Sequence, residues 1–284
     1  MSPAKHSSPW LVSTEWLAEK LGKPDVVVVD ASYFLPAQNR DAHAEYRAGH
    51  IPGAVFFDIE KIADNSTDLP HMLPGPDQFA QAVGALGISD GDTIVVYDSV
   101  GLFSAARVWW TFRLFGAEGV FILDGGLPKW KAEGRPLETG ETHPQSRKFA
   151  AAMNTGAVAM LGDVQMALNN ADAQVVDARS AERFRGQAPE PRPGLRSGHM
   201  PGSLNVPYST LIENGQLVSR ERIAKAFAAG RVDLDKPIIA SCGSGVTAAI
   251  LWLALDAIGK EPKSLYDGSW AEWASRPDMP VATD

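Results

Sequence analysis

The chain has 284 residues, of which 45% are hydrophobic, and a formal net charge of −8 at pH 7. This length suits two domains of ordinary size, each with its own core. The acidic balance and the lack of a basic run argue against nucleic acid and anionic membranes as partners. No apolar stretch is long enough to span a bilayer, and residues 1–11 lack a targeting pattern, so we expect a soluble cytoplasmic protein. Cys242 is the only cysteine, which excludes an intrachain disulfide.

Short apolar runs alternate along the chain with segments of helical periodicity. Because the apolar runs are continuous, they predict parallel sheets that are covered by helices on both faces. The predicted elements are, in chain order, strand Val26–Asp30, helix Asp77–Leu86, strand Ile94–Tyr97, helix Ser104–Phe115, strand Phe121–Leu123, helix Val158–Leu168, strand Ala173–Asp177, helix Arg220–Ala229, strand Pro237–Ser241, helix Val246–Ile258 and strand Ser264–Tyr266.

The same landmarks occur twice along the chain, in the same order. The separation between paired landmarks changes by only a few residues, as loop insertions and deletions would cause, which indicates a duplicated domain. A polar stretch with Gly140 and Pro144 lies between the copies. We therefore predict a first domain at 12–137, a linker at 138–157 and a second domain at 158–281. The paired landmarks are Val26–Ala31 with Val175–Ala178, Gly49–Ala54 with Gly198–Ser203, Tyr97–Gly101 with Ser241–Gly245, and Asp124–Gly125 with Asp267–Gly268.

Cys242 follows the predicted strand Pro237–Ser241, at the strand end where parallel sheets carry their sites. Gly243 and Gly245 let the next residues curl so that backbone N–H groups turn inward, and the following helix adds its positive N-terminal end. This arrangement predicts a reactive thiolate at Cys242. A buried, inert cysteine is the alternative, since that is the commoner state of a lone cysteine.

Two other anion-binding loops fit the sequence poorly. A phosphate-binding loop ends in Gly-Lys-Ser/Thr, which does not follow here. A cysteine-dependent phosphatase needs an arginine that closes the loop on the phosphate, and Thr247 and Ala248 occupy those positions.

The loop Cys242–Thr247 resembles the active loop Cys-Gly-Ser-Gly-Val-Thr of the tandem rhodanese-domain sulfurtransferases, in their 3-mercaptopyruvate sulfurtransferase branch. The thiosulfate-preferring rhodaneses carry basic residues where this chain has Gly243 and Ser244. The paired Gly-His-x-Pro-Gly signatures and the segments Arg107–Trp110 and Asp267–Trp270 extend the resemblance over nearly the whole chain. The resemblance implies an α/β fold of two tandem rhodanese-like domains, each a parallel sheet flanked by helices.

The resemblance also implies roles for individual residues. Only the second domain is catalytic in the family, which agrees with Asp98 at the position where the first copy would need its cysteine. Arg183 and Arg192 match the family's substrate-binding arginines, and the arginine fork suits a donor carboxylate. Solvated loop arginines are the alternative. The loop residues expected to bind donor and persulfide are Gly243, Gly245, Val246 and Thr247.

Ser244 lies in the loop and matches a serine that could relay a proton to the departing pyruvate enolate. A serine that only braces the loop is the alternative. His71 matches a first-domain histidine of the family's proposed relay, and Glu60 stands at a position that is aspartate in some members. A structural role for His71 at the domain interface remains open. His50 and His199 occur in both copies, one of which lacks the nucleophile, so we expect them to serve the fold.

The resemblance implies a sulfurtransferase that moves sulfur from 3-mercaptopyruvate to cyanide or to a protein thiol such as that of thioredoxin. The sulfur would travel as a persulfide on Cys242, and pyruvate would be released. No organic cofactor is required, and no His/Cys cluster has metal-ligand spacing, so we predict no metal. A thiosulfate:cyanide sulfurtransferase is the alternative enzyme. A non-catalytic rhodanese-like binding module is the alternative of another class, against which the intact Cys242 loop argues.

Overall fold

The computed structural model describes residues 8–283, in which strands and helices alternate along both halves of the chain. The strands are β1 (Leu11–Val12), β2 (Val26–Asp30), β3 (Val55–Phe56), β4 (Thr93–Tyr97), β5 (Val120–Leu123), β6 (Val158–Ala159), β7 (Gln174–Asp177), β8 (Leu204–Asn205), β9 (Ile212–Glu213), β10 (Gln216–Leu217), β11 (Ile238–Ser241) and β12 (Ser264–Tyr266). The α-helices are α1 (Thr14–Lys20), α2 (Ala42–Ala48), α3 (Pro76–Ala85), α4 (Ala105–Leu114), α5 (Gly126–Ala132), α6 (Leu161–Asn170), α7 (Ala181–Phe184), α8 (Arg220–Ala229), α9 (Ala248–Ala257) and α10 (Ser269–Ser275).

The strands form two five-stranded parallel sheets with the same topology. Their orders are β1-β5-β4-β2-β3 and β6-β12-β11-β7-β8, so each strand of the first sheet has a counterpart in the second. Every pairing within them is parallel. β9 and β10 form a separate antiparallel pair. The predicted α/β fold with two tandem parallel sheets is therefore confirmed.

Two predicted helices begin later than the sequence periodicity indicated. Val158 and Ala159 form the edge strand β6 instead of the first turn of a helix. Helix α6 starts only after Met160, whose backbone N–H donates to the Asp163 carboxylate at 2.8 Å. Likewise, α9 starts only after Thr247, which is its N-cap, and not at Val246. A two-residue strand leaves no alternation of its own, which is why the helical pattern extended over it.

The two halves share a hydrophobic core. Helix α4 of the first half packs against α9 of the second, and the rings of Trp110 and Trp252 lie 6.0 Å apart. Val96 in β4 and Ala240 in β11 belong to the same cluster of buried side chains. The central strands of both sheets are therefore stabilised by one continuous apolar interior.

The predicted linker at 138–157 packs against the first half. The N–H of Glu138 donates to the carbonyl of His50 at 2.9 Å, and the N–H of Ala152 donates to the carbonyl of Phe115 at 2.9 Å. The limits of the two domains and of the linker remain predictions.

None of the helices within residues 8–283 has the length and apolarity that crossing a bilayer requires. Residues 1–11, for which we expect no targeting signal, lie mostly outside the described part of the chain.

Candidate active site

Cys242 lies at the end of β11 and begins the loop that leads into α9. Its side chain is buried, with 1% of its surface exposed, and so are Ser244 and Thr247. The loop curls at Gly245, whose φ of +76° lies in the left-handed region. A Cβ at Gly245 would lie 2.7 Å from Nη1 of Arg107, so a side chain there would also displace the arginine.

The hydroxyl group of Ser269 holds this loop in place. Its oxygen accepts the backbone N–H groups of Cys242 and Gly245, at 3.2 and 3.1 Å, while the hydroxyl donates to the carbonyl of Tyr266 at 2.7 Å. The N–H of Trp270 donates to the carbonyl of Cys242 at 3.0 Å. We did not single out Ser269 from the sequence, although it lies within the quoted segment Asp267–Trp270.

The first half contains the counterpart of this loop, with Asp98 in the place of the cysteine. The Asp98 carboxylate is fully buried and accepts four backbone N–H groups at 2.7–2.9 Å. The four donors belong to Val100, Gly101, Phe103 and Ala105. In the second half, the backbone N–H groups of Ser244 and Thr247 have no acceptor among residues 8–283. The Asp98 carboxylate thus fills the first loop, whereas the second loop keeps backbone N–H groups that are available to a bound anion.

Arg183 reaches the cysteine loop. A Cβ at Gly243 would lie 3.0 Å from its Nη2 atom, so the guanidinium stands beside the residue that follows Cys242. Glu190 orients this guanidinium, because its carboxylate accepts from Nη2 at 2.5 Å and from Nε at 3.3 Å. The side chain of Glu190 is almost fully buried and also accepts from Nη1 of Arg179 at 2.8 Å. We did not predict this role for Glu190, since a lone acidic residue in a loop carries no specific sequence signal.

Arg192 crosses to the first half of the molecule. Its Nη2 atom donates to Nε2 of His71 at 2.9 Å and to the hydroxyl oxygen of Tyr33 at 3.3 Å. The rings of Tyr33 and His71 meet edge to face with centroids 4.8 Å apart, and both side chains are buried. The two arginines predicted to bind the donor are therefore held by different halves.

Burial and two nearby cations keep the His71 imidazole neutral. They lower its pKa from 6.5 to about 3, with burial as the main cause, followed by the charges of Arg192 and Arg107. The Nδ1 atom is buried and has no hydrogen-bond partner within residues 8–283. Glu60, which stands at a position that is aspartate in some members of the family, is exposed. In the described part of the chain, Ser244, His71 and Glu60 form no hydrogen-bonded chain.

Arg107 of α4 connects the two halves at the site. Its Nη2 atom donates to the Asp267 carboxylate at 2.6 Å and to the carbonyl of His71 at 2.8 Å, and Nη1 donates to the carbonyl of Gly245 at 3.3 Å. The other carboxylate oxygen of Asp267 accepts the N–H of Leu73 at 2.8 Å. One buried ion pair thus fixes the His71 segment against the cysteine loop.

His50 and His199 have matching roles in packing. The Nδ1 atom of His50 lies 2.9 Å from the carbonyl oxygen of Tyr46, and that of His199 lies 2.8 Å from that of Phe184. Each imidazole also stacks on the ring of the same aromatic residue. Within residues 8–283, no three His, Cys, Asp or Glu side chains are grouped so that they could hold a metal ion.

Comparison with known proteins places these features in a family. The family model of the rhodanese-like domain matches residues 13–133 and 160–276. The 3-mercaptopyruvate sulfurtransferase of Escherichia coli (strain K12) is 47% identical over 97% of this chain and 98% of that protein, and that of Homo sapiens is 42% identical over 94% and 92%. Thiosulfate/3-mercaptopyruvate sulfurtransferase 1, mitochondrial, of Arabidopsis thaliana is 43% identical over 95% of this chain and 77% of that protein.

A solved structure supports the same assignment. The crystal structure of SseA from Escherichia coli, a 3-mercaptopyruvate sulfotransferase of the rhodanese fold, superposes with a TM-score of 0.86 at 45% identity, over 92% of this chain and 98% of that one. The chain therefore belongs to the tandem rhodanese-domain sulfurtransferases, in their 3-mercaptopyruvate sulfurtransferase branch.

Proposed function

We propose that this chain moves sulfur from 3-mercaptopyruvate to a thiophilic acceptor through a persulfide on Cys242, with release of pyruvate. The observation that carries the proposal is the Arg183 guanidinium beside Gly243, because it puts a cation suited to a donor carboxylate next to the chain's only thiol. Gly243 and Ser244 add no positive charge beside the Cys242 sulfur, so a compact dianion such as thiosulfate gains little electrostatic binding energy there.

In the first half of the reaction, the Cys242 thiolate attacks the donor sulfur while Arg183 and Arg192 hold the donor carboxylate. A sulfur–sulfur bond forms, the carbon–sulfur bond breaks, and its electron pair leaves with the pyruvate enolate. The enolate then takes up a proton to become pyruvate. The buried hydroxyl of Ser244 is the group in the loop that relays this proton.

The persulfide then remains in the loop until the acceptor arrives. The first-half loop supports this role, since the same backbone arrangement already holds the Asp98 carboxylate with four N–H donors. Among the counterparts of the four Asp98 donors, the N–H of Gly245 donates to Ser269 and that of Ala249 to the carbonyl of Val246, which leaves the N–H groups of Ser244 and Thr247 for a bound anion. Gly243 and Val246 contribute to binding through the backbone conformation of the loop that they help to form.

In the second half of the reaction, cyanide or a thiolate of an acceptor protein such as thioredoxin attacks the outer sulfur. The sulfur–sulfur bond breaks, and the Cys242 thiolate is regenerated with its electron pair. Both steps balance without an external oxidant or reductant, so no organic cofactor is needed. Because donor and acceptor react in turn with the same sulfur, we expect ping-pong kinetics.

Intact-mass measurement tests the persulfide directly. The protein treated with 3-mercaptopyruvate should gain the mass of one sulfur atom, and Cys242→Ser, treated in the same way, should gain none. No mass gain in the wild-type protein would favour the binding module without catalysis.

Thiosulfate is the alternative donor, because the relative from Arabidopsis thaliana is named for both donors. A wild-type kcat/KM that is higher for thiosulfate than for 3-mercaptopyruvate would favour the thiosulfate:cyanide sulfurtransferase.

For the location of the protein we propose the cytoplasm, since a reducing compartment preserves a single reactive thiol. Fractionation of cells that express the full chain tests this, and recovery from an organelle would contradict it.

A further inference from the structure

We propose that His71 and Tyr33 of the first half form a clamp that positions Arg192, with His71 acting as a hydrogen-bond acceptor and not as a proton relay. The clamp rests on the proposed function, in which Arg192 binds the donor carboxylate. It makes the first half, which has no nucleophile of its own, responsible for one side of the donor site.

The hydrogen bonds fix the direction of each contact. A guanidinium can only donate, so Nε2 of His71 must accept from Nη2 of Arg192 across the 2.9 Å between them. A neutral imidazole that accepts at Nε2 carries its proton at Nδ1. The Tyr33 hydroxyl oxygen accepts from the same Nη2 atom at 3.3 Å. One atom of Arg192 is thus held by two first-half side chains.

The charges around His71 favour this role over proton transfer. The Arg192 guanidinium donates to the imidazole, Arg107 adds a second positive charge from its bond to the His71 carbonyl, and the Asp267 carboxylate pairs with Arg107 and not with the ring. Burial and these cations lower the pKa of His71 to about 3, so the ring stays neutral near neutral pH. A general acid would need a pKa near the working pH.

A relay would also need a different set of contacts. Its histidine would present Nε2 to Ser244 and would be oriented through Nδ1 by a carboxylate. Here Nε2 is occupied by Arg192, and Nδ1 has no partner within the part of the chain that the structure describes. Glu60, at the position that carries aspartate in some members of the family, is exposed to solvent.

The backbone holds His71 firmly enough to serve as an anchor. Its φ of +61° lies in the left-handed region, which few residues other than glycine adopt. Its carbonyl accepts from Arg107 at 2.8 Å, and the N–H of Leu73 donates to Asp267 at 2.8 Å. The second half therefore fixes the segment that in turn fixes Arg192.

The test compares two variants of one residue. His71→Gln keeps an acceptor oxygen close to the position of Nε2 but cannot transfer a proton near neutral pH, whereas His71→Leu removes both. For the clamp, His71→Leu should raise KM for 3-mercaptopyruvate roughly tenfold or more with kcat changed little, and His71→Gln should recover most of that loss. The pH profile of kcat should be the same for His71→Gln as for the wild type. A loss of kcat of a hundredfold or more in both variants, at unchanged KM, would overturn the clamp and establish the relay.

Two further variants test the coupling to Arg192. Tyr33→Phe deletes only the hydroxyl group and should raise KM by a smaller factor than His71→Leu does. In an Arg192→Ala background, His71→Leu should raise KM for 3-mercaptopyruvate little further, because the hydrogen-bond partner of His71 is already absent. If His71→Leu raises KM by the same factor with and without Arg192, the clamp is contradicted. If His71→Leu proves unable to fold, the rise in KM of Tyr33→Phe and the unchanged pH profile of kcat in His71→Gln decide the question.

A readout without turnover separates the clamp from the proposed function. Side-chain ¹⁵N NMR of the wild-type protein measures the protonation of His71, whose signals are assigned by their loss in His71→Gln. From pH 8 to pH 5, the imidazole should remain neutral with its proton on Nδ1. The Nε2 signal should shift in Arg192→Ala. A ring that protonates near pH 6.5, or an Nε2 signal that is unchanged in Arg192→Ala, would overturn the clamp even if the protein uses 3-mercaptopyruvate. Failure of the wild type to use that donor would instead overturn the proposed function alone.

Discussion

The Arg107 guanidinium of the first half lies 2.6 Å from the Asp267 carboxylate of the second half, and both side chains are almost fully buried. Around this pair meet the carbonyl of His71, the carbonyl of Gly245 and the N–H of Leu73. The ion pair therefore joins the two halves at the point where the cysteine loop meets the His71 segment. This position makes it both a stability determinant and a support of the site.

Loss of the Asp267 charge should destabilise the protein strongly. In Asp267→Asn, the buried Arg107 guanidinium loses its counter-charge, and breaking a buried pair in this way costs about 3–5 kcal/mol. Glu213→Gln is the matched control, because it breaks the exposed pair of Glu213 with Arg222, whose side chains are 60% and 50% exposed. An exposed pair contributes at most about 1 kcal/mol. Urea unfolding of both variants checks the difference, and comparable losses would contradict the role of Arg107.

Cys242→Ser should fold and lose all sulfur transfer. The two side chains are similar in size, so the change in the buried loop is small, but a hydroxyl group is a far weaker nucleophile than a thiolate. Circular dichroism checks the fold and a coupled pyruvate assay checks turnover. Since the chain has one cysteine, no other thiol can replace it, and residual turnover by the purified variant would rule out the persulfide mechanism.

Replacing Arg183 or Arg192 should lower the activity with 3-mercaptopyruvate more than the activity with thiosulfate. A hydrogen bond to a charged group contributes about 1.5–3 kcal/mol, so either Arg→Ala change should lower kcat/KM for 3-mercaptopyruvate roughly ten- to a hundredfold. Thiosulfate has no carboxylate, and its activity should fall less. Arg185→Ala, at an exposed position in the same segment, is the control and should change neither donor by more than about twofold. Equal losses for both donors would mean that the arginines support only the fold.

Asp98→Asn should reduce stability and spare sulfur transfer. The amide has one acceptor oxygen, and its NH₂ group would face N–H donors in a fully buried loop that now holds a carboxylate. Losing charge-assisted hydrogen bonds there should lower the free energy of unfolding by about 2–4 kcal/mol. The midpoint of urea unfolding and kcat/KM for 3-mercaptopyruvate are measured together. A loss of activity in the folded variant would show that the first loop takes part in the reaction.

The neutral state of His71 predicts an acid-sensitive stability. Below about pH 6.5 the unfolded chain binds a proton at this histidine, whereas the folded protein does so only near pH 3, where its pKa lies. This contribution to stability is therefore complete above pH 6.5 and falls with decreasing pH, by up to about 1.4 kcal/mol per pH unit. Between pH 7 and pH 4.5, the wild type should lose about 2.5 kcal/mol more free energy of unfolding than His71→Gln, as measured by urea unfolding. Parallel pH profiles of the two proteins would contradict a lowered pKa.

The sequence alone determined the duplication, the α/β class and the position of the cysteine loop. The reason is local. Val28–Val29 and Ile238–Ala240, in the central strands of the two sheets, are buried on both faces and therefore apolar without alternation, and the glycines after Cys242 mark the turn that follows a strand end. The short strands were missed or absorbed into helices, as at Val158–Ala159, because two residues form no pattern.

Only the tertiary structure decided how the residues around the thiol are held. The bond from Arg192 to His71 spans 121 residues of sequence, and the pair Arg107–Asp267 spans 160. Such contacts depend on how the two halves pack along α4 and α9, and long-range packing leaves no periodic trace in either segment. The same packing buries His71 near the charges of Arg192 and Arg107 and lowers its pKa, and on this arrangement rests our proposal that His71 accepts a hydrogen bond from Arg192.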